Sequence, residues 1–298
     1  MIWLVGSKGM LGTELALLMD SYGIPYTGTD SELDITDRKE LFLFAGNQKK
    51  PADWIINCAA YTAVDKAEDD SENCRLVNAA GAGNIAWVAN KIGARLIHIS
   101  SDYVFNGNGN RPYKEEDVAD PIGVYGFTKR EGEIIALKEN TRSYIFRTAW
   151  LYGKYGKNFV HTMLALMKDR ENISVVNDQR GSPTWTFDLA EVIITLLRSS
   201  DTGSVIPYGI YHYTNEGEIT WFDFACEIFT QSRALGILNK DCKVLPCTGA
   251  DFPARVQRPA YSVLDKTKIK TALGITIPEW NNSLGKFLNS GDYGKCVS

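Results

Sequence analysis

The chain opens with a short apolar run that leads directly into a glycine-rich turn. Residues 2–5 read Ile-Trp-Leu-Val and predict a buried strand, and residues 6–12 read Gly-Ser-Lys-Gly-Met-Leu-Gly. Glycines in this order allow a tight turn, close approach of a diphosphate to the backbone, and close packing of a helix on the strand. We therefore expect Gly6, Gly9 and Gly12 to form a nucleotide-binding turn; the alternative is a purely structural strand-to-helix connection.

The first half of the chain alternates apolar runs with helical patterns. Alternation of this kind indicates βαβ units with right-handed crossovers, and a parallel sheet that is covered on both faces. The predicted fold class is therefore α/β, a Rossmann-like doubly wound sheet. Strands are predicted at 2–5, 25–29, 54–58, 95–99 and 144–147, and helices at 11–20, 37–48, 71–90 and from residue 123 onward.

The second half is less regular and shows no linker or internal repeat. Its predicted elements are helices at 159–170, 187–198, 221–235 and 266–273, the last of these ending the fold, and strands at 173–176, 210–213 and 244–246. We expect residues 1–155 to form the NAD(P)-binding domain, with 173–200 returning to it. A smaller, interleaved substrate-binding lobe is expected from residues 156–172 and 201–298.

Composition indicates which kinds of partner and environment to expect. The net charge is −4 and there is no run of Lys and Arg, which argues against nucleic acid. No apolar stretch approaches the roughly 18 residues that a membrane span needs. The six cysteines are scattered without a Cys-x-x-Cys pair, which is typical of reduced thiols and predicts a cytoplasmic protein.

Asp30 follows the second predicted strand. A carboxylate at this place accepts hydrogen bonds from the adenosine ribose and favours NADH, because it repels a 2′-phosphate. Lys8 in the glycine turn offsets that repulsion, so both NADH and NADPH remain open as cofactors. Asp34 and Ile35 lie where the adenine edge would be met.

Tyr125 and Lys129 stand four residues apart on a predicted helix, and so on one face. A cation beside a phenol favours the phenolate, which predicts that Lys129 lowers the pKa of Tyr125 toward neutrality. The pair then suits general acid–base chemistry.

Longer motifs carry a family resemblance. Asn-Cys-Ala-Ala-Tyr-Thr at 57–62, Ser-Ser-Asp-Tyr-Val-Phe at 100–105 and Tyr-Gly-Phe-Thr-Lys at 125–129 resemble the extended short-chain dehydrogenase/reductases. The closer similarity is to the dTDP-4-dehydrorhamnose reductase family, and it covers nearly the whole chain. Further supporting segments lie at 33–37, 63–68, 147–153, 179–184 and 258–265.

The resemblance implies NAD(P)H-dependent reduction of the 4-keto group of dTDP-4-dehydro-L-rhamnose to dTDP-L-rhamnose, a step that supplies cell-surface polysaccharide. Ser101 would polarise the substrate carbonyl, Tyr125 would protonate it, and Lys129 would hold a ribose hydroxyl. Arg258 is added as a candidate for the substrate diphosphate, because a guanidinium matches phosphate oxygens. The expected cofactor-binding residues are Gly6, Gly9, Met10, Leu11, Gly12, Asp30, Asp34, Ile35, Ala60, Tyr61, Thr62, Tyr125 and Lys129; the substrate-binding ones are Ser101, Asp102, Trp150 and Arg258.

Two departures from related families bear on these expectations. Related sugar-nucleotide dehydratases have a glutamate where this chain has Tyr103, which favours plain reduction here. Some rhamnose-type reductases dimerise through a metal held by glutamates. Glu14 matches one such position, but Phe187 occupies the other, so we expect no metal and a monomer or weak homodimer.

Two other functions stay open. One is reduction or epimerisation of another nucleotide sugar. The other is a non-catalytic role, because regulatory subunits of methionine adenosyltransferase resemble the same reductases. The intact Ser101, Tyr125 and Lys129 set favours catalysis.

Overall fold

A parallel six-stranded sheet forms the centre of the part that the computed structural model describes, which comprises residues 1–201, 206–251, 255–291 and 293. The strand order is β10-β5-β4-β3-β1-β2, which confirms the predicted doubly wound α/β class. The strands are β1 Ile2–Val5, β2 Tyr26–Thr29, β3 Trp54–Asn57, β4 Arg95–Ser101, β5 Ser143–Thr148, β6 Leu151–Tyr152, β7 Asn172–Val176, β8 Arg180–Gly181, β9 Thr184–Trp185, β10 Gly209–His212, β11 Ile219–Thr220 and β12 Lys243–Cys247.

Helices cover both faces of this sheet. Apolar side chains of α1, α8 and α10 pack on one face, and those of α2, α5 and α6 pack on the other. The helices are α1 Met10–Ser21, α2 Arg38–Gly46, α3 Val64–Ala67, α4 Ser71–Arg75, α5 Ala82–Ile92, α6 Val124–Glu139, α7 Phe159–Asp169, α8 Thr186–Asp201, α9 Trp221–Ala234, α10 Thr267–Leu273 and α11 Trp280–Asn289. A π-helical turn, Leu76–Gly81, joins α4 to α5, and short 3₁₀ turns lie at Asp102–Val104 and Gly249–Asp251.

A second apolar cluster lies apart from the sheet. It gathers α7, α9 and α11 with the parallel pair β7–β12, through side chains such as Phe224, Leu284 and Phe287. Strand β10 pairs with β5, and α8 packs on α1, so parts of the second half complete the central sheet. The chain therefore passes between the two packing units more than once, and the functional division of the chain into domains stays a prediction.

Helix α11 was not expected, because the last predicted helix ended at 273. Its sequence includes asparagines, a serine and a glycine, which are weak helix formers. Burial of Leu284, Phe287 and Leu288 in the second cluster stabilises it instead. Local sequence preference could not reveal this tertiary contribution.

Strand β4 is two residues longer than predicted, and this extension positions the site. Its pairing with β5 continues to Ser101 opposite Thr148, so the strand carries Ser100 and Ser101 to the carboxyl edge of the sheet. The chain order reverses between β1 and β3, and a crevice outside the carboxyl ends of the strands is the usual ligand site at such a point.

Cys58, Cys74, Cys226, Cys242 and Cys247 are free thiols, and Cys296 lies outside the described residues. In the described part of the chain, no helix combines the length and apolar character needed to cross a membrane.

Candidate active site

A cleft of about 920 Å³ opens at the carboxyl edge of the sheet. One end is lined by Asp30 and Asp34 after β2, and the other by Trp150 after β5. The glycine turn lies along the cleft, together with the ends of β3 and β4. The cavity is therefore long enough to pass from one βαβ half of the sheet to the other.

The three glycines of the turn meet different constraints. Gly6 has φ +77°, and a Cβ atom on it would lie 2.6 Å from the backbone nitrogen of Ala59. A Cβ on Gly12 would lie 2.0 Å from the carbonyl oxygen of Gly6. A Cβ on Gly9 would meet only that same oxygen, at 3.4 Å, which is ordinary contact. Gly6 and Gly12 are thus required by packing, whereas Gly9 borders the cleft.

The first turn of α1 lies against this cleft. Gly9 is the N-cap and provides no side-chain cap to the first amides of the helix, and Met10 and Leu11 line the cavity. Uncapped amides and the positive end of the helix dipole form a ready site for an anion. The turn therefore fits the diphosphate of a dinucleotide cofactor.

Acidic groups dominate the end of the cleft next to β2. The carboxylate of Asp30 accepts hydrogen bonds from the backbone nitrogens of Lys8 and Ser31, both at 2.9 Å. The Lys8 ammonium is 2.9 Å from one carboxylate oxygen of Glu32, and the other oxygen accepts from the backbone nitrogen of Asp30 at 2.8 Å. Lys8 was expected to offset the negative charge of Asp30. It is instead paired with Glu32, a second carboxylate that the sequence motifs did not identify.

Asn78 holds the segment that follows β3. Its amide accepts from the backbone nitrogen of Tyr61 at 2.9 Å and donates to the backbone oxygen of Tyr61 at 3.1 Å. Ala60 and Thr62 consequently line the cleft, whereas the Tyr61 side chain donates to Asp70. Asn78 lies in the π-helical turn, an element that is frequent at functional sites and that gives no signal in the sequence pattern.

Ser101, Tyr125 and Lys129 all line the same cleft. Ser101 ends β4, and the other two lie one turn apart near the start of α6. The Lys129 ammonium donates to the carbonyl oxygen of Ile99 at 2.6 Å. The Ser101 hydroxyl donates to Asp102 at 2.9 Å and accepts from the backbone nitrogen of Tyr103 at 3.2 Å.

The electrostatics of this group correct one expectation. Burial raises the pKa of Tyr125 above the usual value, so the predicted lowering by Lys129 is wrong in direction. Burial also lowers the pKa of Lys129 to about 8. The physical reason is that loss of hydration penalises the charged form of each group. The opposing effects, chiefly the Ser101 hydrogen bond on Tyr125 and the Glu133 charge on Lys129, are smaller. Tyr125 is therefore a neutral proton donor at pH 7.

Asp102 lies beside Ser101, with 2% of its surface exposed. Burial raises the pKa of Asp102 to about 6, and hydrogen bonds from Ser262 and Ser101 oppose this shift. The ring of Tyr103 meets that of Tyr125 edge-on, with centroids 5.4 Å apart. This contact was not anticipated, although the motif at 100–105 contains the residue.

A buried ion pair joins the helix and the strands that carry the site. Arg147 on β5 makes two hydrogen bonds of 2.8 Å to the carboxylate of Glu133 on α6, and Ser100 donates to the same carboxylate at 2.6 Å. Glu133 is one turn beyond Lys129, and Ser100 precedes Ser101. The pair therefore fixes α6 against the two strands that carry the rest of the site.

Trp150 lines the opposite side of the cleft, and its indole stacks on that of Trp221. Arg258 lies outside the cleft lining. Its guanidinium donates to a carboxylate oxygen of Asp65 at 3.0 Å and to the Tyr103 hydroxyl at 3.2 Å. Lys157 lines the cleft as well, and no motif in the sequence indicated it.

The structure thus gathers most of the residues expected from the sequence. Gly12 packs beneath the turn, and Tyr61 and Arg258 are engaged elsewhere, as described above. The expected residues that line the cleft are Gly6, Gly9, Met10, Leu11, Asp30, Asp34, Ile35, Ala60, Thr62, Ser101, Asp102, Tyr125, Lys129 and Trp150. Within the described residues, no cluster of His, Cys, Asp and Glu has the arrangement of a metal site.

Comparisons with known proteins agree with this geometry. The family model for the RmlD substrate binding domain matches residues 1–292. A dTDP-4-dehydrorhamnose reductase of Aggregatibacter actinomycetemcomitans is 41% identical over 94% of this chain and 96% of its own length. A dTDP-4-keto-6-deoxy-D-glucose reductase of Streptomyces niveus is 38% identical over 95% of this chain and 94% of its own.

The solved structures give the same result. The crystal structure of a dTDP-4-dehydrorhamnose reductase from Bacillus anthracis, in complex with NADP, superposes with a TM-score of 0.89 at 36% identity, covering 97% of this chain and 98% of that one. The resemblance read from the sequence motifs is confirmed. The chain therefore belongs to the RmlD family of NAD(P)-dependent dTDP-4-dehydrorhamnose reductases.

Proposed function

We propose that this protein reduces the 4-keto group of dTDP-4-dehydro-L-rhamnose to dTDP-L-rhamnose with NADPH or NADH. The observation that carries the proposal is the position of Ser101, Tyr125 and Lys129 in the cleft that also contains the glycine turn. A proton donor, a hydroxyl and a cation are thereby placed next to a site suited to a dinucleotide.

The cofactor is assigned to the glycine-turn side of the cleft. Gly9, Met10 and Leu11 bind the diphosphate, and Gly6 and Gly12 give the turn its shape. Asp30, Asp34 and Ile35 hold the adenosine, and Ala60, Tyr61 and Thr62 lead toward the nicotinamide. When bound, the nicotinamide supplies a hydride to the carbonyl carbon.

The side chains supply the proton and orient the ketone. Tyr125, whose raised pKa keeps it protonated, donates its proton to the carbonyl oxygen as negative charge develops there. Ser101 turns its hydroxyl from Asp102 toward the same oxygen and stabilises that charge. Lys129 binds a ribose hydroxyl of the cofactor.

The sugar nucleotide is assigned to the other side of the cleft. Asp102 and Trp150 contact the sugar, and Arg258 leaves Asp65 to reach the diphosphate. The proposed domain division assigns residues 1–155, with 173–200, to the cofactor and residues 156–172 and 201–298 to the substrate lobe. Two strands cross this division: β10 completes the central sheet, and β7 packs in the second apolar cluster.

A second candidate substrate is supported by one specific observation. The relative from Streptomyces niveus, similar to this chain at nearly the same level of identity, is named for a dTDP-4-keto-6-deoxy-D-glucose substrate. This sugar nucleotide, which differs from dTDP-4-dehydro-L-rhamnose in configuration at C3 and C5, is therefore the strongest competing substrate. The regulatory, non-catalytic role predicts cofactor binding without any turnover.

The test is consumption of NADPH, and separately NADH, with dTDP-4-dehydro-L-rhamnose, dTDP-4-keto-6-deoxy-D-glucose and a UDP-linked 4-keto-6-deoxy sugar. We expect the rhamnose precursor to give the highest kcat/KM, with dTDP-L-rhamnose identified by NMR. A higher kcat/KM with dTDP-4-keto-6-deoxy-D-glucose would identify that sugar nucleotide as the substrate instead. Absence of nicotinamide oxidation with all three would favour the regulatory role.

Assembly and location are proposals of the same kind. Phe187 stacks on Trp185 with ring centroids 4.8 Å apart, and Glu14 pairs with the Thr186 hydroxyl at 3.3 Å. We propose a monomer or weak homodimer that Mg²⁺ does not change, which sedimentation velocity with and without Mg²⁺ tests. The cytoplasmic location stays a prediction.

A further inference from the structure

Trp150 has a backbone conformation that few residues of its kind adopt. Its φ is +48°, and among the described residues it is the one non-glycine residue with a positive φ. A bulky side chain in the left-handed region stores strain, and such strain persists only where surrounding contacts hold it.

Trp221 packs against one face of the Trp150 indole. The two indoles are stacked, with centroids 3.6 Å apart and planes inclined by 12°. Gly181 lies against the Trp150 ring so closely that a Cβ would be 2.6 Å from its Cε2 atom. The backbone oxygen of Trp150 accepts from Thr184 at 3.1 Å. The indole is thus confined by one aromatic face and by backbone.

Trp221 is itself firmly placed. It is the first residue of α9, whose N-terminus is closed by the reciprocal capping box of Thr220 and Asp223. The Phe159 ring lies 4.6 Å from that of Trp221. Trp221 is absent from the lining of the cleft, whereas Trp150 is present in it. The stack therefore connects the second apolar cluster to a wall of the cleft.

We propose that Trp221 is a positioning residue that sets the affinity for the sugar. Its stacking holds Trp150 in the strained conformation, so that the indole presents a fixed apolar wall to the sugar ring. The inference deepens the proposed function and rests on it, because it assigns the sugar to the Trp150 end of the cleft. It assigns no role to Trp221 in cofactor binding.

The variants Trp221→Leu and Trp221→Phe separate positioning from simple packing. Leucine removes the stacked face, and we expect KM for the sugar nucleotide to rise about tenfold, the factor that loss of an aromatic stack produces. Phenylalanine keeps a flat ring and restores most of the affinity. The dissociation constants of NADPH and of free dTDP stay unchanged, while that of dTDP-L-rhamnose rises with KM, as measured by calorimetry.

A spectroscopic signature accompanies the kinetics. Two indoles stacked at this distance couple their electronic transitions, so wild-type protein should show a circular dichroism couplet that Trp221→Leu abolishes. Trp87→Leu is the matched control, because Trp87 packs against Phe42 and the Arg38 guanidinium on the outer face of α5. It should keep the couplet and the wild-type KM.

The outcomes are distinct. Loss of the couplet with unchanged KM in an active Trp221→Leu enzyme overturns the inference and leaves the proposed function intact. Failure of both Trp221 variants to fold makes the residue purely structural and also overturns it. Absence of turnover and of dTDP-L-rhamnose binding in the wild-type protein instead sinks the proposed function itself.

Discussion

The ammonium nitrogen of Lys129 lies 2.6 Å from the carbonyl oxygen of Ile99, two residues before Ser101 on the same strand. This hydrogen bond crosses from α6 to β4 and fixes the cation relative to the hydroxyl of the site. Lys129 has 2% of its surface exposed, and burial lowers its pKa to about 8. The charge on which the site depends is therefore lost within an accessible pH range.

Cofactor affinity should follow that titration. We expect the dissociation constant of NADH to rise as pH increases through about 8, because the ammonium becomes neutral. Lys129→Met should bind NADH weakly with no inflection there, and calorimetry from pH 6 to 10 measures both. Because the pKa is lower in the fold than the roughly 10.4 of an unfolded lysine, the ammonium destabilises the fold below about pH 8, and this cost disappears toward pH 10. A pH-independent wild-type affinity would contradict the assignment.

A methyl group added to Gly12 should lower stability, whereas one added to Gly9 should weaken cofactor binding. Gly12→Ala places a Cβ 2.0 Å from the Gly6 oxygen and should destabilise the fold by about 1–3 kcal/mol, as overpacking does. Gly9→Ala meets only ordinary contact, so its melting temperature should stay near wild type. Its KM for NADPH should rise at least about tenfold, because the methyl group occupies the place of the diphosphate. Thermal unfolding and steady-state kinetics distinguish the two variants. An unchanged KM for NADPH in Gly9→Ala would contradict the assignment of the cofactor diphosphate to this turn.

The buried carboxylate of Glu133 should contribute far more to stability than an exposed neighbour on the same helix. Glu133→Gln leaves Arg147 buried without its counter-charge, and we expect a loss of about 3–5 kcal/mol in the free energy of unfolding. Glu131→Gln breaks the exposed pair with Arg75 and should cost less than about 1 kcal/mol. Urea denaturation at pH 7 measures both, and equal losses would contradict the role of the buried pair.

The same pair predicts acid sensitivity. Burial by itself would raise the pKa of Glu133, but the hydrogen bonds and charge of Arg147 hold it below the usual value. Its contribution is therefore present above the unfolded pKa of about 4.3 and lost as the pH falls below it. The stability difference between wild type and Glu133→Gln should shrink in denaturation experiments below pH 4.

Glu32 should influence the choice of cofactor. Its carboxylate pairs with Lys8 beside Asp30, so Glu32→Gln frees the ammonium and removes one negative charge. We expect the ratio of kcat/KM for NADPH to that for NADH to rise up to about fivefold, the range of an exposed ion pair. Glu40→Gln, on the first turn of α2, is the control. A ratio that falls would show that Lys8 does not meet a 2′-phosphate.

Much of this arrangement follows from local patterns in the sequence. The apolar strands and the glycine turn determine the sheet, and the carboxyl ends of β3 and β4 bring residues 57–62 and 100–105 to one edge, where Tyr125 and Lys129 of α6 also line the cleft. Patterns of this kind act over a few residues or through the topology of βαβ units, and both are readable without coordinates.

Other features depend on contacts that no spacing encodes. The stack of Trp150 on Trp221 joins residues 71 apart, and Asn78 acts through a π-helical turn. The predicted direction of the Tyr125 pKa shift is wrong because the sequence reveals the neighbouring cation but not the depth of burial. Helix α11 was not predicted because packing in the second apolar cluster, rather than its own sequence preference, stabilises it.

The most direct test is the turnover of Tyr125→Phe with NADPH and dTDP-4-dehydro-L-rhamnose. The variant keeps the ring and loses only the acidic proton, so we expect kcat to fall by about 10²-fold or more while NADPH affinity stays unchanged. Turnover near the wild-type rate would contradict the assignment of Tyr125 as the proton donor, and with it the account of this cleft.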